Sequence, residues 1–226
     1  MVFQNNIIKV PNLKFDIEKL KQAFNQVLKI KEFDNAGGVV TNISSISLNR
    51  IKGDNQSTEG KYSWGRYWTI PDNNGQEVER ADAIDEEQFN EFVPEYNDTY
   101  FKYVYEKISK TYTLGRTRVL KKEPRSTLSW HKDPEPRLHI PIITNYGCRM
   151  VIDDRAYHMP ADGSVWFLNQ AYEHWVKNNS DVDRVHLVVV VTGQNGILEA
   201  NEQYLDEYTI PEEVSCAHNL YAVENV

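Results

Sequence analysis

The sequence predicts a mainly β fold, a β-sandwich or jelly roll with two helices against its outside, and three observations lead there. After Gly115 the chain breaks into seven short β-like runs separated by turn residues: 118–120, 127–130, 138–143, 149–152, 164–167, 174–176 and 185–192. Before Gly115 two stretches carry apolar residues at helical spacing instead. The composition, 40% hydrophobic and 26% charged over 226 residues, is that of an ordinary globular chain. Many short strands with regular turn signals are the mark of a sandwich or barrel.

The elements follow in order. Asp16 is placed to cap a helix in which Ile17, Leu20, Phe24, Val27 and Leu28 form one apolar stripe. Gly37-Gly38 ends that region. Asn49 to Lys61 is polar and Gly-containing, so it reads as a surface loop. Trp64, Tyr67 and Trp68 form an aromatic cluster, open to a packing role or to a substrate-cage role. From Thr99 a second helix is expected, with Phe101, Val104, Tyr105 and Ile108 on the face that covers a sheet. Pro134, Pro136, Gly147, 160–163 and 178–180 punctuate the strands that follow. The stretch 194–226 reads as a covering helix, a lid or an oligomer contact.

A single domain spanning 1–226 is therefore expected: a helical and loop region over 1–114, a β core over 115–193 and a C-terminal covering segment over 194–226. Lys plus Arg total 25 against 33 for Asp plus Glu, a net charge of -8 without a basic block, which argues against nucleic acid or an anionic membrane as partner. The longest purely apolar run, Leu187 to Val191, is far short of a membrane span. Met1 to Val10 lacks the basic and apolar regions of a secretory signal, so a cytoplasmic setting is expected, with Cys148 and Cys216 as reduced thiols. Nothing in the sequence fixes an oligomeric state.

The chemistry concentrates on a few residues. His131 and Asp133 are two apart, so in an extended segment both side chains point to one side and can meet one ion. A second imidazole, His174, lies on a later β run. Two imidazoles and a carboxylate cover one face of a metal and leave the other positions open, the facial arrangement of non-haem Fe(II) oxygenases. Ten residues beyond His174, Arg184 offers a permanently charged fork suited to the distal carboxylate of 2-oxoglutarate. The rival readings are a surface His131–Asp133 pair, a core His174 and an exposed Arg184. His139 and His186 are open between structural and functional roles, and His158 and His218 read as structural or surface residues.

The stretch His131-Lys-Asp-Pro-Glu-Pro-Arg137-Leu-His139-Ile-Pro-Ile, then Thr144-Asn145, Tyr157-His-Met-Pro-Ala-Asp-Gly163-Ser-Val-Trp166-Phe-Leu-Asn169, and His174 with Asn178 and Arg184-Val-His-Leu resemble the aspartyl/asparaginyl β-hydroxylase family of Fe(II)/2-oxoglutarate-dependent oxygenases. The likeness runs over about residues 115–193. It implies a double-stranded β-helix, or cupin-like jelly roll, with iron held by His131, Asp133 and His174 as catalytic centre. It also implies Arg184 on the distal carboxylate of 2-oxoglutarate, with Arg137 and His139 near its metal-side carboxylate. The implied reaction consumes O2 and hydroxylates an amino-acid side chain in a protein, a peptide or the free amino acid, with succinate and CO2 formed. Asp133 departs from the animal members of the family, which lack the carboxylate ligand, and agrees with the free-proline hydroxylases that resemble them. Near Leu120, a cosubstrate-holding serine of the animal enzymes has no counterpart. Two other classes stay open from the residues alone. One is a zinc-type cupin hydrolase or isomerase, with Glu135 or Glu173 as base; the other is a non-catalytic jelly-roll binding protein.

Overall fold

The computed structural model describes residues 6–35, 43–63, 69–79, 84–152 and 155–193. Strand β1 (Ile7–Lys14) leads into helix α1 (Ile17–Ile30), followed by β2 (Asp34–Asn35), β3 (Ile43–Ser47) and β4 (Asn49–Arg50). Two short hairpin strands, β5 (Thr69–Pro71) and β6 (Glu77–Glu79), precede β7 (Glu91–Phe92) and helix α2 (Tyr100–Ser109). Then come β8 (Thr113–Lys122), β9 (Ser126–His131), β10 (Arg137–Ile143) and β11 (Cys148–Ile152). The last four are β12 (Arg155–Tyr157), β13 (Ser164–Leu168), β14 (His174–Asn178) and β15 (Arg184–Gly193).

Asp16 does cap α1: its carboxylate accepts from the backbone N–H groups of Glu18 and Lys19 at 2.9 and 3.1 Å, satisfying two donors that the first helical turn leaves unpaired. Leu20, Ala23, Phe24 and Val27 are buried, each large one contributing about 1.5–3 kcal/mol of transfer free energy. Leu28, expected on the stripe, is 37% exposed, and Ala23 takes its place in the contact. In α2, Phe101, Val104 and Ile108 are buried while Tyr105 is partly so and meets the Phe92 ring.

The strands form a jelly roll. A seven-stranded sheet runs β1-β13-β10-β15-β8-β3-β2, and a four-stranded sheet runs β12-β11-β14-β9, with every pairing antiparallel. Each of the seven expected β runs is a strand. The seven-stranded sheet also takes β1, β2 and β3 from the first third of the chain, which periodicity assigned to helix and loop. In β3 the sequence Ile-Ser-Ser-Ile-Ser hides its burial, because Ser44, Ser45 and Ser47 are buried polar residues.

Alternation along the large sheet separates two environments. Val119, Leu138, Ile140, Phe167, Val185, Leu187 and Val189 face α1 and α2 in the main apolar core. Their neighbours Arg118, Lys122, Arg137, His139, Arg184 and His186 face the smaller sheet. Between the sheets a second apolar cluster of Ile7, Met150, Ile152, Tyr157, Met159, Trp166, Leu168 and Val176 closes one end. At the turn into β13, Gly163 has φ +85°, and a Cβ there would lie 1.8 Å from the Phe15 carbonyl oxygen. Only glycine fits, and Phe15 N–H donates to the Gly163 carbonyl at 2.8 Å, tying β13 to the start of α1.

Among the described residues no helix is long and apolar enough to cross a membrane. Cys148 is buried with its thiol on Asn178 Oδ1 at 3.3 Å; Cys216, the aromatic stretch 64–68 and the stretch 194–226 lie outside the described residues.

Candidate metal centre

The end of β9, the start of β10 and the start of β14 meet at one mouth of the roll, because β14 pairs with β9 so that His174 stands opposite His131. The backbone N–H of Asp133 donates to the Gln170 carbonyl at 2.9 Å, fixing the β9–β10 turn against the residues that lead into β14. One candidate ligand atom from each of His131, Asp133 and His174 lies within 4.8 Å of the others.

The hydrogen bonds set which atoms face inward. His131 Nδ1 is 2.7 Å from the Ser129 carbonyl and His174 Nδ1 is 3.0 Å from the Tyr172 carbonyl. A carbonyl only accepts, so each Nδ1 carries a proton, and in the neutral ring that leaves Nε2 with its lone pair. Those two Nε2 atoms lie 3.8 and 3.3 Å from Asp133 Oδ2. The other carboxylate oxygen, Oδ1, accepts from Arg137 Nη2 at 2.8 Å, while the buried Oδ2 has no hydrogen-bond partner. Burial pushes the Asp133 carboxyl up, but opposing charges, Arg137 first among them, hold it well below the usual carboxylate range. His131 is held below its ordinary value, chiefly by burial. Two imidazole Nε2 atoms and an ionised, unsatisfied oxygen thus converge, which fits a divalent metal.

A narrow cavity joins this mouth to Arg184. His131, Arg137, His139, Gln170, His174, Lys122 and Arg184 line it, with Leu128, Met150 and Val176 as its apolar wall. Arg184 is buried and donates through Nη2 to His186 Nδ1 at 3.0 Å. Desolvation lowers its pKa to about 10, with the Cys148 thiol acting in the opposite direction. Lys122, opposite Arg184 in the β8–β15 register, donates to the Thr127 carbonyl at 2.9 Å and is lowered to about 8, again mainly by burial. His139 and His186 are both pushed well below the ordinary imidazole range by burial and by Arg184, so both are neutral. Their Nδ1 atoms are 3.4 Å apart, and each leaves a buried Nε2 without a partner.

All six residues singled out in the sequence therefore sit around one cavity or, for Asp133, directly behind its lining. Arg137 is on the Asp133 carboxylate, with its Nε unpartnered. Glu135 and Glu173 are not among the cavity-lining residues; Glu173 is exposed. Sequence reasoning missed Gln170, whose side-chain Nε2 donates to His174 Nε2 at 3.0 Å, and it missed Lys122. No residue type or spacing marks a glutamine four before a histidine, and a lysine near a strand end reads as solvated.

A family model described as aspartyl/asparaginyl beta-hydroxylase matches residues 49–193, well over half of the chain. Among solved structures, the chain is similar to a 2OG-Fe(II) oxygenase-family oxidoreductase from Burkholderia pseudomallei, at 16% identity over 84% of this chain and 87% of that one, TM-score 0.48. A prolyl-4-hydroxylase from Pseudomonas putida is similar at 10% identity over 85% and 95% of the two chains, TM-score 0.48. A cupin domain from Bordetella pertussis Tohama I is similar over 34% of this chain and 81% of that one, at 16% identity and TM-score 0.31. No curated protein matches the chain in sequence.

Proposed function

This chain belongs to the aspartyl/asparaginyl β-hydroxylase family, and from that premise we propose that it is an Fe(II)- and 2-oxoglutarate-dependent dioxygenase that hydroxylates an amino-acid side chain, in a protein, a peptide or the free amino acid. The observation that carries the reading is the buried, unpartnered Asp133 Oδ2 facing the Nε2 atoms of His131 and His174. Those three residues would hold the iron, which when bound supplies the activation of O2 that couples decarboxylation of 2-oxoglutarate, to succinate and CO2, with hydroxylation of a C–H bond.

The protein's own part is binding and orientation. Arg137 fixes the Asp133 carboxylate so that one oxygen is presented inward. Arg184, a desolvated fork at the far end of the same cavity, takes the distal carboxylate of 2-oxoglutarate bidentately, and Lys122 adds a second cation at that end. His139 and His186, held neutral, offer uncharged polar atoms along the cavity without adding repulsion. Leu128, Met150 and Val176 exclude water, which strengthens each of these charge contacts.

Purified protein supplied with Fe(II), 2-oxoglutarate and O2 is expected to form succinate, and His174→Ala is expected to form none. Equal succinate production by His174→Ala would remove this triad from the account. The substrate class is tested by a mass gain of one oxygen on free amino acids and peptides; a gain seen only on a metabolite with no amino-acid moiety would contradict it.

A further inference from the structure

The outer face of the four-stranded sheet carries cations without acids. None of β9, β11, β12 and β14 contains an acidic residue. Leu128, Met150 and Val176 point inward to the cavity, so by strand alternation Thr127, Arg149, Val151, Trp175 and Lys177 point outward. Register sets these in two rows: Val151 lies beside Trp175, and Arg149, Lys177 and Thr127 lie side by side. The Trp130 ring packs on Trp175 with centroids 5.7 Å apart and is still 49% exposed.

Arg149 and Lys177 rest on aromatic rings instead of on carboxylates. Arg149 lies 5.9 Å from the Tyr146 ring centroid and Lys177 lies 5.8 Å from that of Trp175, and among the described residues no acid pairs with either. Trp175 Nε1 is buried without a hydrogen-bond partner among those residues. An exposed indole, two cations lacking a counter-charge and an N–H lacking an acceptor together fit a covering partner that is acidic, partly apolar and supplied with acceptors.

That composition occurs within this chain. Residues 194–226 hold seven of the 33 acidic residues and none of the 25 Lys and Arg, so most of the net charge of -8 lies there. Tyr204, Leu205, Tyr208 and Ile210 are interspersed with Glu202, Asp206, Glu207 and Glu212. The topology brings this stretch near the face. Strand β15 ends at Gly193 beside the β9–β10 turn, where Val191 N–H donates to the Pro136 carbonyl at 3.0 Å. Trp130 comes one residue before the end of β9 at that same mouth. Packed sheets lie about 10 Å apart, a gap that about four extended residues span. The chain can therefore round the mouth well before Tyr204.

We propose that the acidic stretch 199–213 docks on the outer face of the four-stranded sheet of its own chain. Its carboxylates pair with Arg149 and Lys177, and its aromatic and aliphatic side chains cover Trp130 and Trp175. A short tether holds such a stretch at an effective concentration of about millimolar, which favours the chain's own segment over that of a second copy. The proposal stands apart from the dioxygenase reading, because it uses the side of the sheet that faces away from the metal centre.

The test places the photo-crosslinker p-benzoylphenylalanine at Tyr204, and separately at Tyr208, in the full-length protein, and maps the products by mass spectrometry after digestion. Crosslinks are expected within one chain, to 126–131, 148–152 or 174–178, with a yield independent of protein concentration. Arg149→Glu combined with Lys177→Glu should lower that yield by about fivefold, as should raising NaCl from about 0.05 M to about 0.5 M. Glu202→Lys with Asp206→Lys, added to the reversed pair, should restore it. Mn(II) binding by each variant reports that the roll is intact, so a lost crosslink is not a lost fold. Crosslinks absent from both positions or confined to other elements would overturn the proposal. So would an unchanged yield in the charge-reversed protein. Crosslinks that join two chains and rise with protein concentration would also overturn it, since they would make a second copy the occupant. Succinate formation is not a readout of this test, so the dioxygenase reading stands or falls separately.

Discussion

Arg137 and Asp133, four residues apart across the β9–β10 turn, form an ion pair at 2.8 Å that engages only one of the two carboxylate oxygens. The pair fixes the carboxylate plane and leaves Oδ2 to face His174 Nε2 at 3.3 Å. Arg137 therefore acts on the metal through Asp133, as an orienting partner of a ligand.

Partners of metal ligands typically contribute 10–100-fold in metal affinity. Arg137→Leu is accordingly expected to weaken Mn(II) binding by about that factor, measured by titration of the metal-free protein. Binding equal to that of the parent would show that Asp133 needs no such support.

The burial of Arg184 predicts a split effect on kinetics. Arg184→Leu removes the guanidinium and is expected to raise KM for 2-oxoglutarate by at least about 30-fold, the loss of one buried, hydrogen-bonded charge pair. Arg184→Lys, which keeps a point charge without the fork, should fall between. Steady-state succinate formation as a function of 2-oxoglutarate reads both; an unchanged KM in Arg184→Leu would place the distal carboxylate elsewhere.

Glu86 links the fold to pH. Burial raises its carboxyl, yet the ion pair and hydrogen bonds with Arg116 outweigh that and leave it below its ordinary 4.5. A group with a depressed folded pKa contributes stability that is fully present above the unfolded value and is lost as pH falls through the folded one. Urea midpoints should thus fall as pH drops below about 4.5, and Glu86→Gln should flatten that slope. Glu86→Ala, which strands a buried Arg116, should cost about 3–5 kcal/mol. An identical pH slope in Glu86→Gln would contradict the assignment.

Much of the fold can be read from the chain, and the reasons for the remainder are physical. Asp16 announces α1 because its side chain has a local partner to satisfy, and the strands after Gly115 are visible because apolar runs end at glycine, proline and asparagine. Ile7–Lys14 and Ile43–Ser47 are obscured, the first by Pro11 and Asn12 within it, the second by serines whose burial depends on β8 and on the Ser63 carbonyl that accepts from Ser45. At the site, His131, Asp133, His174 and Arg184 stand out by residue type and order. Lys122 and Gln170 do not, since a basic residue or an amide in a sequence carries no sign of burial until strand register places it.

The β13 turn gives a stability test apart from the chemistry. Gly163→Ala forces a side chain into a left-handed backbone conformation and against the Phe15 carbonyl oxygen. It should destabilise the fold by more than about 1–3 kcal/mol, the cost of the backbone strain alone. Thermal or urea unfolding reads it, and parent-like stability would mean that the α1–β13 junction can open freely.

A crystal structure of the protein with Mn(II) and 2-oxoglutarate, grown without O2, bears most directly on the central claim. The account predicts one ion bonded to His131 Nε2, Asp133 Oδ2 and His174 Nε2, with Gln170 displaced from His174 and the distal carboxylate of 2-oxoglutarate on Arg184. An ion bound elsewhere, or a diacid that leaves Arg184 without a carboxylate, would contradict it.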